Sequence, residues 1–455
     1  MLAKSIKVLL LCAAAALLDG CSTPCDAPGR LCAPISANTS DAAMPAPRPD
    51  PRSLPPAEPA PEPAQTFSVN SPDNAIVTDT AMTPRAVATA PSYGAMPGQP
   101  GAGERPAGQV RIALLLPLHS DTLGAAADAL RAGFMAAYER DRGGFSVSVV
   151  GTGDVAQDVL ASYVQIQEQQ DIVVGPLARS AVTAVAGSAL VNRPTIALNY
   201  PEGRGTGNET PLPPQMLVIG LSVEDEARQV ASWAGAEQAG GKALILSTGS
   251  AWQRRSAAAF GAQWQDMGLN AQTLEMSAPD GYLNDAELVQ LRSRLLNDPP
   301  ALLFAAMDAD QVRQLRVAVG NGIPLYGTSS LNPGIVNGLP GPELDGVRLL
   351  DLPWQVQRDH PAVMVYPRPV QTDERKTGAD MERLYALGID AFRVAREIAL
   401  HPHSRFSLDG VTGKLAVSFG QGPARFERTE QTAMYRDGVL TPLTAPTTPA
   451  PVPAE

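Results

Sequence analysis

From Val110 onward, apolar runs of strand length alternate with helix-period segments, and few architectures accept that rhythm. The first run is Val110-Arg111-Ile112-Ala113-Leu114-Leu115-Leu116, ended by Pro117. A strand that is apolar at nearly every position is buried on both faces, as in a parallel sheet covered by helices. A segment over 123–140 follows, with Leu123, Ala126, Ala127, Leu130, Phe134 and Ala137 spaced for one helix face. The pattern then predicts strand 145–150, helix 155–168, strand 172–174, helix 178–190 and strand 195–198. A polar stretch rich in Gly and Pro, 200–214, interrupts it. The alternation restarts with strand 216–219, helix 223–239, strand 242–247, helix 252–267 and strand 271–274. Helix 285–297, strand 301–305, helix 309–319 and strand 324–326 complete it. Such alternation makes βαβ units and parallel sheets. Two runs of similar size predict an α/β protein of two lobes, each a parallel sheet flanked by helices, with a cleft between them.

The remainder changes character. Residues 376–400 read as one long helix, with Leu384, Leu387, Ala391, Val394 and Ile398 on its buried face. Short β segments at 414–418, 424–427 and 432–436, bounded by glycines, predict a meander that packs back on a lobe. The folded domain is expected over 109–440. Lobe 1 takes about 110–220 with part of 340–400, and lobe 2 about 221–340 with part of 405–440. Segment 353–376 is long and poorly patterned, and such loops are often functional. Trp354, Tyr366 and Arg368 in it are the candidate partner surface. Trp233, Trp252 and Trp264 lie on second-lobe helices, where core packing is the commoner role.

The flanks have no such rhythm. Residues 22–108 hold 18 of the 43 prolines and few aromatics. Chain of this kind buries too little apolar surface to offset its conformational entropy. Residues 21–108 therefore read as a disordered tether, and 441–455 as a loose tail. Wholly polyproline-like, the tether would reach ~270 Å at about 3.1 Å per residue. At the start, Lys4 and Lys7 precede the uncharged run Val8–Leu18, the pattern of a secretory signal over 1–20. Eleven residues are too few to span a bilayer, which takes about twenty. The string Leu18-Asp19-Gly20-Cys21-Ser22 resembles a bacterial lipobox, with Asp19 where a small or apolar residue is usual. That resemblance implies lipidation of Cys21, which anchors the chain without spanning the membrane. Ordinary cleavage beside a chance Cys is the alternative. Ser22 implies, by the same resemblance, the periplasmic face of the outer membrane.

The chain has four cysteines, none beyond Cys32. Cys25 and Cys32 can form a local disulfide in an oxidising compartment or remain free thiols. No Cys/His cluster has metal spacing, so neither zinc nor another cofactor is expected. The net charge of −11 argues against a nucleic-acid partner.

Signals of catalysis are weak. Gly151-Thr152-Gly153-Asp154 follows a strand but lacks the third glycine of a dinucleotide fingerprint. The four histidines, His119, His360, His401 and His403, show no HExxH spacing. Ligands of open α/β sheets sit beyond the C-terminal ends of the strands. The residues there are His119, Ser120, Gly175, Pro176, Asn199, Ser247, Thr248, Met307 and Asp308. They can form a polar cleft for a small ligand, or supply turn and capping chemistry, the commoner use of such residues.

Several strings resemble type I periplasmic binding proteins. They are Ile112-Ala113-Leu114-Leu115-Leu116-Pro117-Leu118, Arg131-Ala132-Gly133-Phe134, Val173-Val174-Gly175-Pro176-Leu177 and Pro194-Thr195-Ile196-Ala197-Leu198-Asn199. Leu384-Tyr385-Ala386-Leu387-Gly388-Ile389-Asp390-Ala391 and Leu408-Asp409-Gly410-Val411-Thr412-Gly413 agree. Within that fold, residues 110–440 look most like the C-terminal domain of LpoA-type penicillin-binding protein activators. The resemblance implies an outer-membrane lipoprotein, not an enzyme, that binds and stimulates a class A penicillin-binding protein. Long members carry a helical-repeat domain ahead of this one, where this sequence has the Pro-rich stretch. The alternative is a lipid-anchored receptor for an amino acid or similar small solute.

Overall fold

The computed structural model describes residues 108–204, 211–238, 241–334, 341–369 and 378–443. Cys21, Cys25 and Cys32, the signal, nearly all of the tether and most of the tail lie outside these residues.

The first lobe opens with β1 (Val110–Leu116), α1 (Gly124–Arg140), β2 (Phe145–Gly151) and α2 (Ala156–Gln169). It continues through β3 (Ile172–Val174), α3 (Arg179–Gly187), β4 (Thr195–Ala197) and β5 (Met216–Val218). The sheet order is β2-β1-β3-β4-β5, with every neighbouring pair parallel. Ile112 to Leu116 have no exposed surface. Ile112, Leu114 and Leu116 pack with α1 on one face, and Leu115 packs with α2 and α3 on the other. Burial on both faces is why this strand is apolar without alternation.

The second lobe begins with α4 (Val223–Gln238), β6 (Ala243–Thr248), α5 (Ala251–Asp266) and β7 (Ala271–Met276). It proceeds through α6 (Asp285–Asn297), β8 (Leu302–Ala306), α7 (Ala309–Val319), β9 (Leu325–Gly327) and β10 (Arg348–Asp351). Its strands run β7-β6-β8-β9-β10, the same succession as in the first lobe. Helices α4 and α5 cover one face, and α6 and α7 the other. The Phe260, Trp264 and Phe304 rings stack inside it.

The chain then returns to the first lobe as α8 (Pro353–Val356), α9 (Pro361–Met364) and α10 (Ala379–Leu400). A three-stranded antiparallel sheet follows: β11 (Arg405–Asp409), β12 (Lys414–Ser418) and β13 (Arg425–Thr429). Strands β14 (Gln431–Arg436) and β15 (Val439–Pro442) finish the second lobe's sheet, with β14 antiparallel to β10. The meander therefore differs from the expected one. Its first strand is β11, which the pattern did not mark, and the segment near 432–436 leaves for the other lobe. Thr429-Glu430-Gln431 has the local look of a hairpin turn, but no local signal says that the chain crosses between lobes there.

Helix α10 lies against α1. A Cβ at Gly133 would stand 1.8 Å from the Tyr385 carbonyl oxygen, and one at Gly388 2.1 Å from the Leu130 oxygen. Two backbones approach this closely only through glycine, and the Phe134 and Phe392 rings meet edge to face at 5.4 Å beside the crossing. Two residues on from Gly388, Asp390 is 1% exposed. Its carboxylate accepts from the Thr412 amide at 2.7 Å, the Thr412 hydroxyl at 2.7 Å and the Val411 amide at 3.2 Å. Asp390 thus ties α10 to the Gly410–Gly413 turn. Asp390→Ala strands three buried donors and is expected to cost about 3 kcal/mol, read as a lowered denaturant midpoint. A midpoint unchanged from the parent would show that the turn holds without it.

Candidate functional site

In sheets of this order, ligands sit where the strand succession reverses, beyond the ends of β1 and β3 and of β6 and β8. The first-lobe candidates at those ends serve the backbone. Ser120 Oγ accepts from the Leu123 amide at 2.8 Å and closes the turn into α1. His119 is exposed, and its ring packs over the end of β2, 3.0 Å from where a Cβ at Gly151 would lie. Gly175 has φ +118, and a Cβ there would meet the Leu115 oxygen at 2.1 Å. Pro176 is buried and accepts from the Leu198 amide. Asn199 Oδ1 accepts from the next amide, Tyr200, at 2.9 Å.

The second-lobe candidates divide. Ser247 and Met307 are buried, and the Met307 carbonyl accepts from Ser330 Oγ. Asp308 caps α7: its Oδ1 accepts from the Gln311 amide at 2.9 Å, and Gln311 returns a bond to the Asp308 amide. Thr248 and Asp308 nevertheless share a polar pocket of about 560 Å³ with Ser250, Trp252, Gln253 and Glu275. Asp308 and Trp252 also line a second pocket, with Ser329, Asn332, Asp380 and Arg383. Trp252, expected in the core, is half-buried in the wall of both pockets. Its place two residues into the helix that follows β6 is the strand-end signal that could have found it. Trp264 is fully buried, and Trp233 is half-buried with its ring on Tyr326. Among the described residues, no group of three His, Cys, Asp or Glu side chains could hold a metal ion.

The 353–376 segment is not the open loop expected of it. Its described part forms α8 and α9, and 370–377 lie outside the described residues. Trp354 has no exposed surface and therefore cannot be a contact residue in this arrangement. Its ring packs on Tyr385 at 5.3 Å, and the Arg368 guanidinium lies 4.0 Å above it. Arg368 also bonds the Trp354 carbonyl at 2.5 Å and Glu382 at 3.0 Å. Tyr366 is half-buried, and burial pushes its phenol above the ordinary range. Trp354 and Arg368 are thus spent on packing α8 against α10, because an indole and a stacked guanidinium are more favourable desolvated together, while Tyr366 lines a pocket with Arg140, Asp141 and Arg393. Among the described residues of this segment, the exposed large apolar side chains are Met364 and Val365.

Among the described residues the chain passes between lobes three times: around Gly220–Ser222, Asp351–Leu352 and Thr429–Gln431. Asp351, fully buried, is held by Arg383 through Nε at 3.1 Å and Nη2 at 2.8 Å, and by Asn332 Nδ2 at 2.7 Å. Arg383 Nη2 also reaches the Ser329 and Asn332 carbonyls. Arg428 donates to the Ile219 and Gly220 carbonyls at 2.8 and 3.0 Å and to Thr412 Oγ1. None of these residues was singled out in the sequence, where an arginine carries no mark of its distant partner.

Residues 107–438 match the model of the LppC lipoprotein family. The chain is similar to two proteins named penicillin-binding protein activator LpoA. That of Photobacterium profundum is 26% identical over 341 residues, covering 67% of this chain and 53% of the relative. That of Aliivibrio fischeri is 27% identical, covering 68% and 54%. The chain thus spans about half the length of the curated relatives it matches. Among solved structures, the LpoA C-domain from Haemophilus influenzae, described as a regulator of PBP1A, aligns with a TM-score of 0.59 at 22% identity. It covers 73% of this chain and all of that one. A Chromobacterium violaceum protein described as a branched-chain amino acid ABC transporter aligns with a TM-score of 0.58 at 32% identity, covering 72% and 100%.

Proposed function

The chain belongs to the LppC lipoprotein family, with a domain of the LpoA C-terminal type, and from that membership we propose an activator of peptidoglycan synthesis. In this reading it is an outer-membrane lipoprotein, anchored through Cys21 on the periplasmic face, that binds and stimulates a class A penicillin-binding protein. The observation that carries the reading is the match of the folded domain to two relatives named as such activators. The strand-end residues are consistent with it. Ser120 closes a turn, Asp308 caps a helix and Gly175 packs on β1, uses that need no ligand in the cleft. A protein of this kind regulates a synthase and is not itself one. Anchoring raises its effective concentration near a membrane-bound partner.

The test is reconstitution of the full chain with the class A synthase of the same organism. Faster glycan polymerisation or crosslinking is expected, and unchanged rates over a saturating range would sink the proposal. A second reading, a receptor for a small amino acid, rests on the pocket at the ends of β6 and β8 and on the likeness to the Chromobacterium violaceum protein. Leucine, isoleucine and valine are the probes. A saturable thermal shift with one of them, lost in Asp308→Ala, would favour the receptor.

A further inference from the structure

The crossovers between the lobes hold more acid than base. Glu226 from α4, Asp351 from β10 and Glu430 from the β13–β14 crossover are 4%, 0% and 8% exposed. Two guanidiniums face them, Arg383 from α10 and Arg428 from β13. Arg383 spends its donors on Asp351, on Asp380 and on the Ser329 and Asn332 carbonyls. Arg428 spends its own on the Ile219 and Gly220 carbonyls and on Thr412. Asp351 is therefore bonded by a cation. Glu226 accepts from neutral donors, the Ser329 amide at 2.8 Å and the Ser329 hydroxyl. Glu430 is the least provided for: its backbone amide bonds Gln229 Oε1, but its buried Oε2 has no hydrogen-bond partner. Glu430 lines a pocket with Arg204, Asp225, Arg228, Arg425 and Glu427, but its buried Oε2 meets no donor there. An ionised carboxylate so placed beside two other carboxylates is costly, and such a group takes up a proton instead.

We infer that Glu430 is protonated at the β13–β14 crossover, and that this proton is a latch that holds the lobes at the angle seen and releases them as pH rises. The inference stands whether the chain is an activator or a receptor, since it concerns the joint between the lobes. Burial, and then the charge of Glu226, raise the Glu430 carboxyl well above its ordinary value of 4.5. Burial pushes Glu226 up to about 7, against the opposing pull of the Ser329 amide and Arg383. The sign follows. A carboxyl raised on folding favours the latched form fully below about 4.5, and that advantage is lost as pH rises through its folded value, near 7 for Glu226. Above that, negative charges at two crossovers repel each other and Asp351 at the third.

The test is hydrogen exchange of the full chain at pH 5 and pH 8, corrected for intrinsic exchange rates, with thermal melts at the same values. Peptides holding Ser329 and residues 429–431 are expected to lose about tenfold in protection at pH 8, while the strands β1 and β6 stay protected. Glu430→Gln keeps the shape and hydrogen of the protonated acid. It should remove most of that loss and raise the pH 8 melting midpoint by about 3 °C, with little change at pH 5. Glu226→Gln should act in the same direction. Equal protection in the parent at both pH values would overturn the inference, as would a Glu430→Gln chain with the parent's full pH dependence. The parent's own profile needs no variant to fold.

Discussion

Arg383→Met is expected to destabilise the domain by about 3–5 kcal/mol, the cost of leaving a buried charge without its partner. Arg383 is 6% exposed, and Asp351 has no exposed surface at all. Without the guanidinium, Asp351 keeps only the Asn332 amide and its neighbour's backbone N–H, and the Ser329 and Asn332 carbonyls lose a donor. The loss concerns more than one pair, because Arg383 stands on a first-lobe helix and its acceptors other than Asp380 stand in the second lobe. Replacing both members is a different experiment. Arg383→Met with Asp351→Leu removes the unpaired charge as well as the pair, and is expected to recover much of the loss. Equilibrium denaturation of the four chains in the cycle decides it. A single Arg383→Met variant as stable as the parent would show that the ion pair contributes nothing to holding the lobes.

Gly133→Ala is expected to destabilise by about 2–3 kcal/mol, against the direction that helix propensity alone predicts. Alanine in a helix interior is ordinarily better than glycine by about 1 kcal/mol. Here the added methyl would lie 1.8 Å from the Tyr385 oxygen, an obstacle of backbone that no rotamer change removes. Helices α1 and α10 must move apart, and the packing of Phe134, Tyr138 and Phe145 around Phe392 loosens with them. Gly388→Ala meets the Leu130 oxygen from the other side and should cost a similar amount. The two share one contact, so the double variant should cost less than the sum. Stabilisation by either alanine would mean that the helices do not touch as described.

Much of the fold is legible in the chain. Ile112 to Leu116 announce a strand covered on both sides, and α1 buries Ala127, Leu130, Phe134 and Ala137 from its expected face. Helix α10 does the same with Leu387, Ala391, Val394 and Ile398, while Leu384 stays half-buried. The strand ends were legible as places, though less so as roles. Ser120 closes a turn and Asp308 caps a helix, and nothing in a Ser or an Asp beside a strand separates such uses from a ligand contact. Trp252 was misjudged because indole burial was weighed by residue type, when its position after β6 was the better guide. Trp354 was misjudged because a segment without periodicity looked like a loop. Its burial depends on Tyr385 and Arg368, 31 and 14 residues further along the chain.

What could be read without coordinates follows from short-range periodicity. An element buried on one face or two repeats its apolar residues at two or 3.6 positions, so the two α/β runs and the long late helix are written locally. What required the folded chain is which lobe each late element joins, and which charges meet at the joint. Arg428 finds the Gly220 carbonyl 208 residues away, Glu226 meets Ser329 across 103, and β14 leaves its apparent hairpin for another sheet. No periodic pattern encodes such pairings, because they depend on where three crossovers converge, and that is settled only when both sheets are packed.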